Sequence, residues 1–303
     1  MVLAVSLLDQ LSTALVIGII TGSVYALVAL GLVLVYKASG IFNFAQAEFG
    51  TVAVYAAYFA LENLDLPYGI ALLVGVAAGV AMGLLTERLV IRPLHGAPRV
   101  TLLVATAGVA LLAIGVEFWR ANNPSLRVLA PISTELERVS VLGIKISDQR
   151  LLILLVLAVT AGALAAFFRS PTGLAVLAAS QESTAAQLVG ISVNRVSAMT
   201  WALAALLGSL AGLLTAPISN FTPGFLTFGA SGALIAGFTA AVIGGMTSMP
   251  GAVVGGLTIG VVEALGGSLS ALGDVPGAKS LLVFLALLLV LLLRPQGLFG
   301  ART

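Results

Sequence analysis

Hydrophobic residues in this chain fall into long unbroken stretches separated by short polar clusters. The apolar segments run at 12–36, 43–61, 69–87, 101–119, 151–168, 197–216, 231–247, 251–269 and 279–293. The breaks fall at Lys37 to Phe42, Glu62 to Tyr68, Arg88 to Arg99, Arg120 to Arg150, Arg169 to Val196, Pro217 to Ala230, Met246 to Pro250 and Ser268 to Lys279. A helical bilayer crossing takes roughly 20 apolar residues. The pattern therefore predicts an all-α polytopic membrane protein with eight or nine transmembrane or re-entrant helices. The pair around Gly244 to Gly260 fits either two spans or two short re-entrant helices. Solid runs such as Leu281 to Leu293 exclude a transmembrane barrel, whose strands alternate over about ten residues.

Composition agrees with a lipid environment. The 303 residues are 60% hydrophobic and only 9% charged, with a mean hydropathy of +1.15, against about 25% charged residues in a soluble domain. Residues 10–36 and 196–262 carry no charge at all. There is no cysteine and a single histidine, His95, so disulfides, thiol chemistry and Cys- or His-cluster metal sites are excluded. No cofactor is expected. No basic residue precedes Lys37, so the first apolar stretch lacks the n-region of a cleavable signal and is expected to remain as a span. The net charge of +2 reflects arginines in loops, not a nucleic-acid surface.

Cytoplasmic loops retain Lys and Arg. With the N-terminus outside and the C-terminus inside, inner loops hold Lys37, Arg88, Arg92, Arg99, Arg169, Arg195, Arg294 and Arg302, and outer ones hold Arg120, Arg127, Arg138, Lys145, Arg150 and Lys279. Five of those six outer residues share one long loop, 120–150, whose Glu135, Glu137 and Asp148 point to a small folded external element. The chain 1–303 otherwise reads as one membrane domain.

Glycines recur every fourth residue at Gly75, Gly79 and Gly83, and in the pairs Gly18 and Gly22, Gly208 and Gly212, Gly251 and Gly255, and Gly256 and Gly260. Such spacing lets helices approach closely in lipid. Two acidic residues stand out within apolar segments, Glu48 and Glu263, each costing about 2.5–3.5 kcal/mol if ionised at the centre of a span. Gly256, Gly260 and Gly267 share the face of Glu263, which fits a helix-packing carboxylate or a pathway residue. Asn43 and Gln46 share a face at the start of the second segment, and Glu48 points away from them with Phe44, Thr51 and Tyr55. Helix capping by Asn43 and the lining of a solute pathway both fit this cluster. The cytoplasmic loop 169–196 reads as a helix opened by Pro171 and Gly173, with Ala178, Glu182, Ala185, Ala186 and Gly190 on related faces. A docking surface and a helix lying on the membrane both fit it.

Four stretches resemble the LivH-type permease subunits of branched-chain amino acid ABC importers. They are Gly22-Ser-Val-Tyr-Ala-Leu-Val-Ala-Leu-Gly31 with Asn43-Phe-Ala-Gln-Ala-Glu48; Glu87-Arg88 with Arg92-Pro93-Leu94; Gly244-Gly-Met-Thr-Ser-Met-Pro-Gly251 with Gly255, Gly256 and Glu263; and Arg294-Pro-Gln-Gly-Leu-Phe-Gly300. The resemblance spans the chain. It implies an ABC importer permease fold in a bacterial or archaeal inner membrane. It also implies three kinds of partner: a second permease, identical or different, two cytosolic ATPases and an extracytoplasmic binding protein. Ala185, Ala186 and Gly190 match the Ala-Ala-x-x-x-Gly core of the family's coupling helix, with Thr184 where the motif has Glu and Glu182 nearby. Asn43, Gln46, Glu48 and Glu263 would line the pathway. Gln46-Ala47 stands where the family often has His-Gly, which bears on the solute, branched-chain amino acid or a relative such as urea or a short amide.

The chain carries no phosphate-binding loop of its own. Gly273-Asp-Val-Pro-Gly277-Ala-Lys279-Ser280 has an alanine between the last glycine and the lysine. The implied mechanism is alternating access driven by the partner ATPases. Two other classes compete with it. Gly229-Ala-Ser231-Gly232 resembles a rhomboid serine motif, but the only histidine precedes it in an arginine-rich loop, so no base is available and Ser231 reads as a packing residue. An ion-coupled transporter or channel would use Glu48 and Glu263 as proton carriers.

Overall fold

The computed structural model describes residues 2–120, 137–141, 144–228, 232–268, 278–294 and 296–300. Each apolar segment forms a helix: α1 (Val2–Ser39), α2 (Gln46–Glu62), α3 (Tyr68–Thr86), α4 (Arg99–Arg120), α5 (Asp148–Phe167), α8 (Val193–Thr215), α9 (Ala233–Gly244), α10 (Met249–Ser268) and α11 (Ala278–Leu293). Two short helices, α6 (Pro171–Gln181) and α7 (Ser183–Leu188), lie between α5 and α8. The chain is an all-α polytopic membrane protein. Among the described residues six helices have the length and apolarity to cross a bilayer, namely those within Gln10–Ser39, Tyr68–Ile91, Arg99–Arg120, Asp148–Phe167, Val193–Ile218 and Met249–Ser268. The pair around Gly244 to Gly260 is neither two spans nor two short helices: α9 has 12 residues and α10 has 20. In the 120–150 stretch the described residues include an antiparallel ribbon, β1 (Glu137–Val141) with β2 (Ile144–Ser147), paired Val139 with Ile146 and Val141 with Ile144.

Helix α1 is the axis of the bundle. It is apolar on every side, and Ala26 to Val35 are essentially without solvent contact, the pattern of a helix surrounded by others. Its partner α10 runs antiparallel across it through glycine: a Cβ at Gly22 would stand 2.7 Å from the Gly256 carbonyl oxygen, and one at Gly256 2.5 Å from the Ala26 Cα. Lipid tails are as apolar as leucine, so close backbone contact of this kind replaces the hydrophobic drive that packs soluble helices. The Gly75, Gly79 and Gly83 strip of α3 meets α2 and α8 in the same way. Leu111, Leu112, Trp119, Leu155, Val159, Leu292 and Leu293 are exposed on outward faces, as lipid-facing positions are.

Two interruptions shape the interior. The chain leaves α1 at Ser39, runs irregularly through residues 40–45, and only then starts α2 with buried residues. After α8 a 3₁₀ turn (Ala216–Ile218) leads into the irregular segment 219–228, whose Phe221, Phe225, Leu226 and Thr227 are buried; α9 begins at Ala233. At 1.5 Å per residue the 12-residue α9 is roughly 18 Å long, about half a bilayer. Non-helical backbone at such depth is tolerated only when enclosed by protein. The glycine contact yields a direct test. Gly22→Val is expected to destabilise the purified chain by about 1–3 kcal/mol through overpacking against α10, whereas Gly162→Val, with open space around a Cβ, is expected to leave its thermal unfolding nearly unchanged.

Candidate translocation site and docking surface

The start of α2 is a closed polar knot. The Asn43 side-chain oxygen accepts from the Ala45 amide at 3.0 Å, and its Nδ2 donates to Gln46 Oε1 at 3.3 Å. Gln46 Nε2 in turn donates to the Ala204 carbonyl of α8 at 2.8 Å. Thr106 of α4 completes the knot, its hydroxyl accepting from the Phe44 amide and lying 3.2 Å from the Phe42 carbonyl. Asn43, Gln46 and Thr106 are all fully buried. The shared face of Asn43 and Gln46 is thus a cross-link between the irregular 40–45 stretch and α8. Asn43 closes a turn ahead of the helix and does not cap it: the N-cap position is Ala45, with no side-chain bond.

Glu48, one turn further, joins a second group. Its Oε1 accepts from the Thr227 hydroxyl in the irregular segment, and its Oε2 has no donor. Beside it stands Glu117 of α4, whose Oε2 accepts from the Gly224 amide at 2.9 Å and whose Oε1 is likewise unpartnered. The two carboxyl groups lie within hydrogen-bonding range of each other. Thr51 accepts from the Leu226 amide at 3.4 Å, and the buried Tyr55 hydroxyl faces both acids without a partner of its own. Gly224 adopts φ of +68°, a left-handed conformation that turns its amide onto Glu117 at little cost because it has no Cβ. Three elements, α2, α4 and the 219–228 segment, therefore meet on one acidic pair.

Glu117 escapes the sequence reading because it sits three residues before Arg120 and looks interfacial. The available signal was its place inside the 101–119 apolar segment, between Val116 and the apolar pair Phe118 and Trp119. Glu263 belongs elsewhere. It accepts from the Tyr25 hydroxyl at 2.5 Å in the α1–α10 contact, and Gly256 and Gly260 on its face pack against α1. Gly267, read as sharing that face, is exposed.

The 169–196 loop is two helices, not the single helix expected. Ser170 caps α6 by accepting from the Gly173 amide, with Pro171 in the first turn. Glu182 is the break: its backbone is extended (φ −147°, ψ 99°), and its side chain accepts from the Thr184 amide at 3.1 Å to start α7. A carboxylate that caps a new turn competes with continuation of the old one. Gly190, at φ +87°, ends α7. The Ile191 amide bonds to the Ala186 carbonyl and the Gly190 amide to that of Gln187, the paired bonds of a left-handed helix terminus. Ala186 faces inward and Ala185 outward. The outermost apolar groups are Leu188 and Val189, 84% and 77% exposed. Arg92 ties the neighbouring loop down, pairing with the buried Glu87 at 2.9 Å and reaching the Asn194 carbonyl at 3.3 Å. An open cavity of about 420 Å³ separates these pieces, lined among others by Ser39, His95, Arg99, Glu182 and Trp201. Ser231 and Gly273 to Gly277 lie outside the described residues.

Residues 14–292 match the family described as the permease component of the branched-chain amino acid transport system. The chain belongs to this permease family. Among its relatives, the high-affinity branched-chain amino acid transport system permease protein BraD of Pseudomonas aeruginosa is 33% identical over 300 residues, covering 94% of each chain. The similarly named LivH of Escherichia coli K12 is 30% identical over 297 residues, 93% of each. A probable LivH of Methanocaldococcus jannaschii is 29% identical over 263 residues, 82% of this chain and 78% of that one. A solved structure, PsaBC from Streptococcus pneumoniae in complex with Fab, aligns over 96% of this chain and 92% of that chain at 17% identity and a TM-score of 0.46. Membership makes the chain a transport subunit and a multi-pass membrane protein.

The polar knot of this permease is open to measurement. Gln46→Leu leaves the Ala204 carbonyl and the Asn43 amide without their partner, and is expected to cost about 1–3 kcal/mol of stability. Thermal unfolding of the purified chain reads this; an unchanged midpoint contradicts the cross-link.

Proposed function

We propose that this chain is the membrane-spanning half of an ATP-driven importer of branched-chain amino acids or closely related small solutes, working by alternating access. The observation that carries the proposal, beyond family membership, is that two interrupted segments, 40–45 before α2 and 219–228 ahead of α9, are both held by buried polar groups of α2 and α4. Discontinuous helices joined by polar groups within the bilayer are where transporters commonly place their route, and intramembrane acids are functional by default. The route runs past Asn43, Gln46 and Glu48 at this joint, with Glu263 on the flanking α1–α10 contact. A hydrophobic amino acid needs few strong polar sites along such a path.

Energy comes from two cytosolic ATPases gripping the α6–α7 end. The N-terminus lies outside, the C-terminus inside, and the membrane is the inner membrane of a bacterium or archaeon. Glu182, Thr184, Ala185, Ala186 and Gly190 form the coupling element, with Glu182 and Gly190 setting where α7 starts and stops. Leu188 and Val189 are its anchors, since apolar side chains so exposed on a loop fit a partner's pocket better than water. A second permease, identical or different, completes the pore, and an extracytoplasmic binding protein delivers the solute.

The buried acid pair also fits an ion-coupled transporter, and one experiment separates the readings. In proteoliposomes, uptake is expected only when the partner ATPases and ATP are present; uptake by this chain alone down an ion gradient contradicts the proposal. Leu188→Asp with Val189→Asp is expected to weaken ATPase co-purification by at least about 2 kcal/mol, roughly 30-fold, while the membrane body stays folded. Undiminished co-purification contradicts the docking assignment.

A further inference from the structure

The acidic joint pairs two buried carboxyl groups, each with one oxygen that lacks a donor. Glu48 is 0% and Glu117 4% exposed, and the two side chains are in hydrogen-bonding range. Each carboxyl spends one oxygen on a protein donor, Glu48 on the Thr227 hydroxyl and Glu117 on the Gly224 amide. The remaining oxygen of each, Oε2 of Glu48 and Oε1 of Glu117, is buried and unpartnered. The groups that face the pair are Thr51 and Tyr55 of α2 together with Thr227 and the Gly224 amide, and none of them is a cation. Arg120, one turn beyond Glu117, is exposed and lies over the Trp119 ring, 5.4 Å from its centroid. Among the described residues the only ion pair is Arg92 with Glu87.

Two negative charges in contact inside a low-dielectric site repel strongly, and among the described residues neither has an opposite charge to offset it. Adjacent carboxyl groups in such settings hold a proton in common, and the proton belongs to the pair rather than to either residue. The orphaned oxygens sit on the two facing groups, one on each, so a single proton supplies the missing donor for one and is accepted by the other.

We propose that Glu48 and Glu117 share one proton, forming a carboxyl–carboxylate bridge that fastens α4 and the 219–228 segment onto the first turn of α2. The bridge is a structural latch at the joint of α2, α4 and that segment. Its existence does not depend on the proposed solute or on the energy source, because it is read without transport. The latch carries a net single negative charge, held by the Thr227 hydroxyl, the Gly224 amide and the shared hydrogen bond.

Infrared difference spectroscopy of the full purified chain at neutral pH tests this through the carbonyl stretch of protonated carboxyl groups. The expected result is a band that shifts in heavy water and disappears completely in Glu48→Gln and equally completely in Glu117→Gln, because a glutamine amide then donates to the remaining carboxylate and no proton is needed. A band that loses only half its intensity in each variant indicates two separately protonated acids and overturns the shared proton. A band unaffected by both, or absent from the unaltered chain, overturns it as well, the latter leaving a bound cation as the mediator. Glu263→Gln is the remaining control, useful should either joint variant fail to fold: the band is expected to persist there, and its loss assigns it to the Tyr25–Glu263 contact and overturns the proposal.

Discussion

A polar group in the hydrocarbon core of a membrane has no water to fall back on, so each one must find its partner within the protein. That constraint organises the interior of this permease. Where α1 stops at Ser39 and α2 has not begun, the backbone of 40–45 is enclosed by α1, α4 and α8, and its polar groups are met by Asn43, Gln46 and Thr106. Where α8 has ended, the 219–228 segment is met by Glu48, Thr51 and Glu117. The same two helices, α2 and α4, thus hold both irregular stretches through different side chains. A continuous helix would need none of them.

Packing supplies the rigid part against which these joints are set. The α1–α10 crossing is a backbone-to-backbone contact through Gly22, Gly256 and Ala26, pinned by the Tyr25–Glu263 hydrogen bond. The α2, α3 and α8 helices form a second block through Gly50, Gly75, Gly79, Gly208 and Gly212. Neither contact can be loosened gradually, since backbone atoms already touch. The α6–α7 end leads into α8, whose Ala204 carbonyl takes part in the polar knot.

Much of this was legible in the residues, and the misses have physical causes. Among the described residues each apolar segment appears as a helix, because hydrophobic length dominates in lipid and needs no tertiary context. The glycine repeats announced the close crossings for the same reason. Glu182 was read as part of a helix face because periodicity treats it as one more position. In the structure its carboxylate bonds to the Thr184 amide and splits the helix there, a competition that patterning does not register. Gly190 was read as one more position on a helix face, whereas its left-handed backbone makes it the helix stop. Glu117 was lost to its nearness to Arg120. Depth along a helix decides whether an acid is interfacial or buried, and depth is fixed by how the neighbouring irregular segment folds back, which no local pattern encodes.

The central claim is that the two interrupted segments are held by the same two helices, α2 and α4, beside the proposed route of the solute. The native chain has no cysteine, so a single Leu226→Cys substitution places the only thiol in the molecule at a fully buried position of the 219–228 segment. Labelling by a membrane-impermeant thiol reagent, in the assembled transporter reconstituted with its ATPases, reads that position directly. The account predicts negligible labelling at rest and a marked rise during ATP-driven turnover with solute. Equal labelling in both states, or none in either, would contradict it.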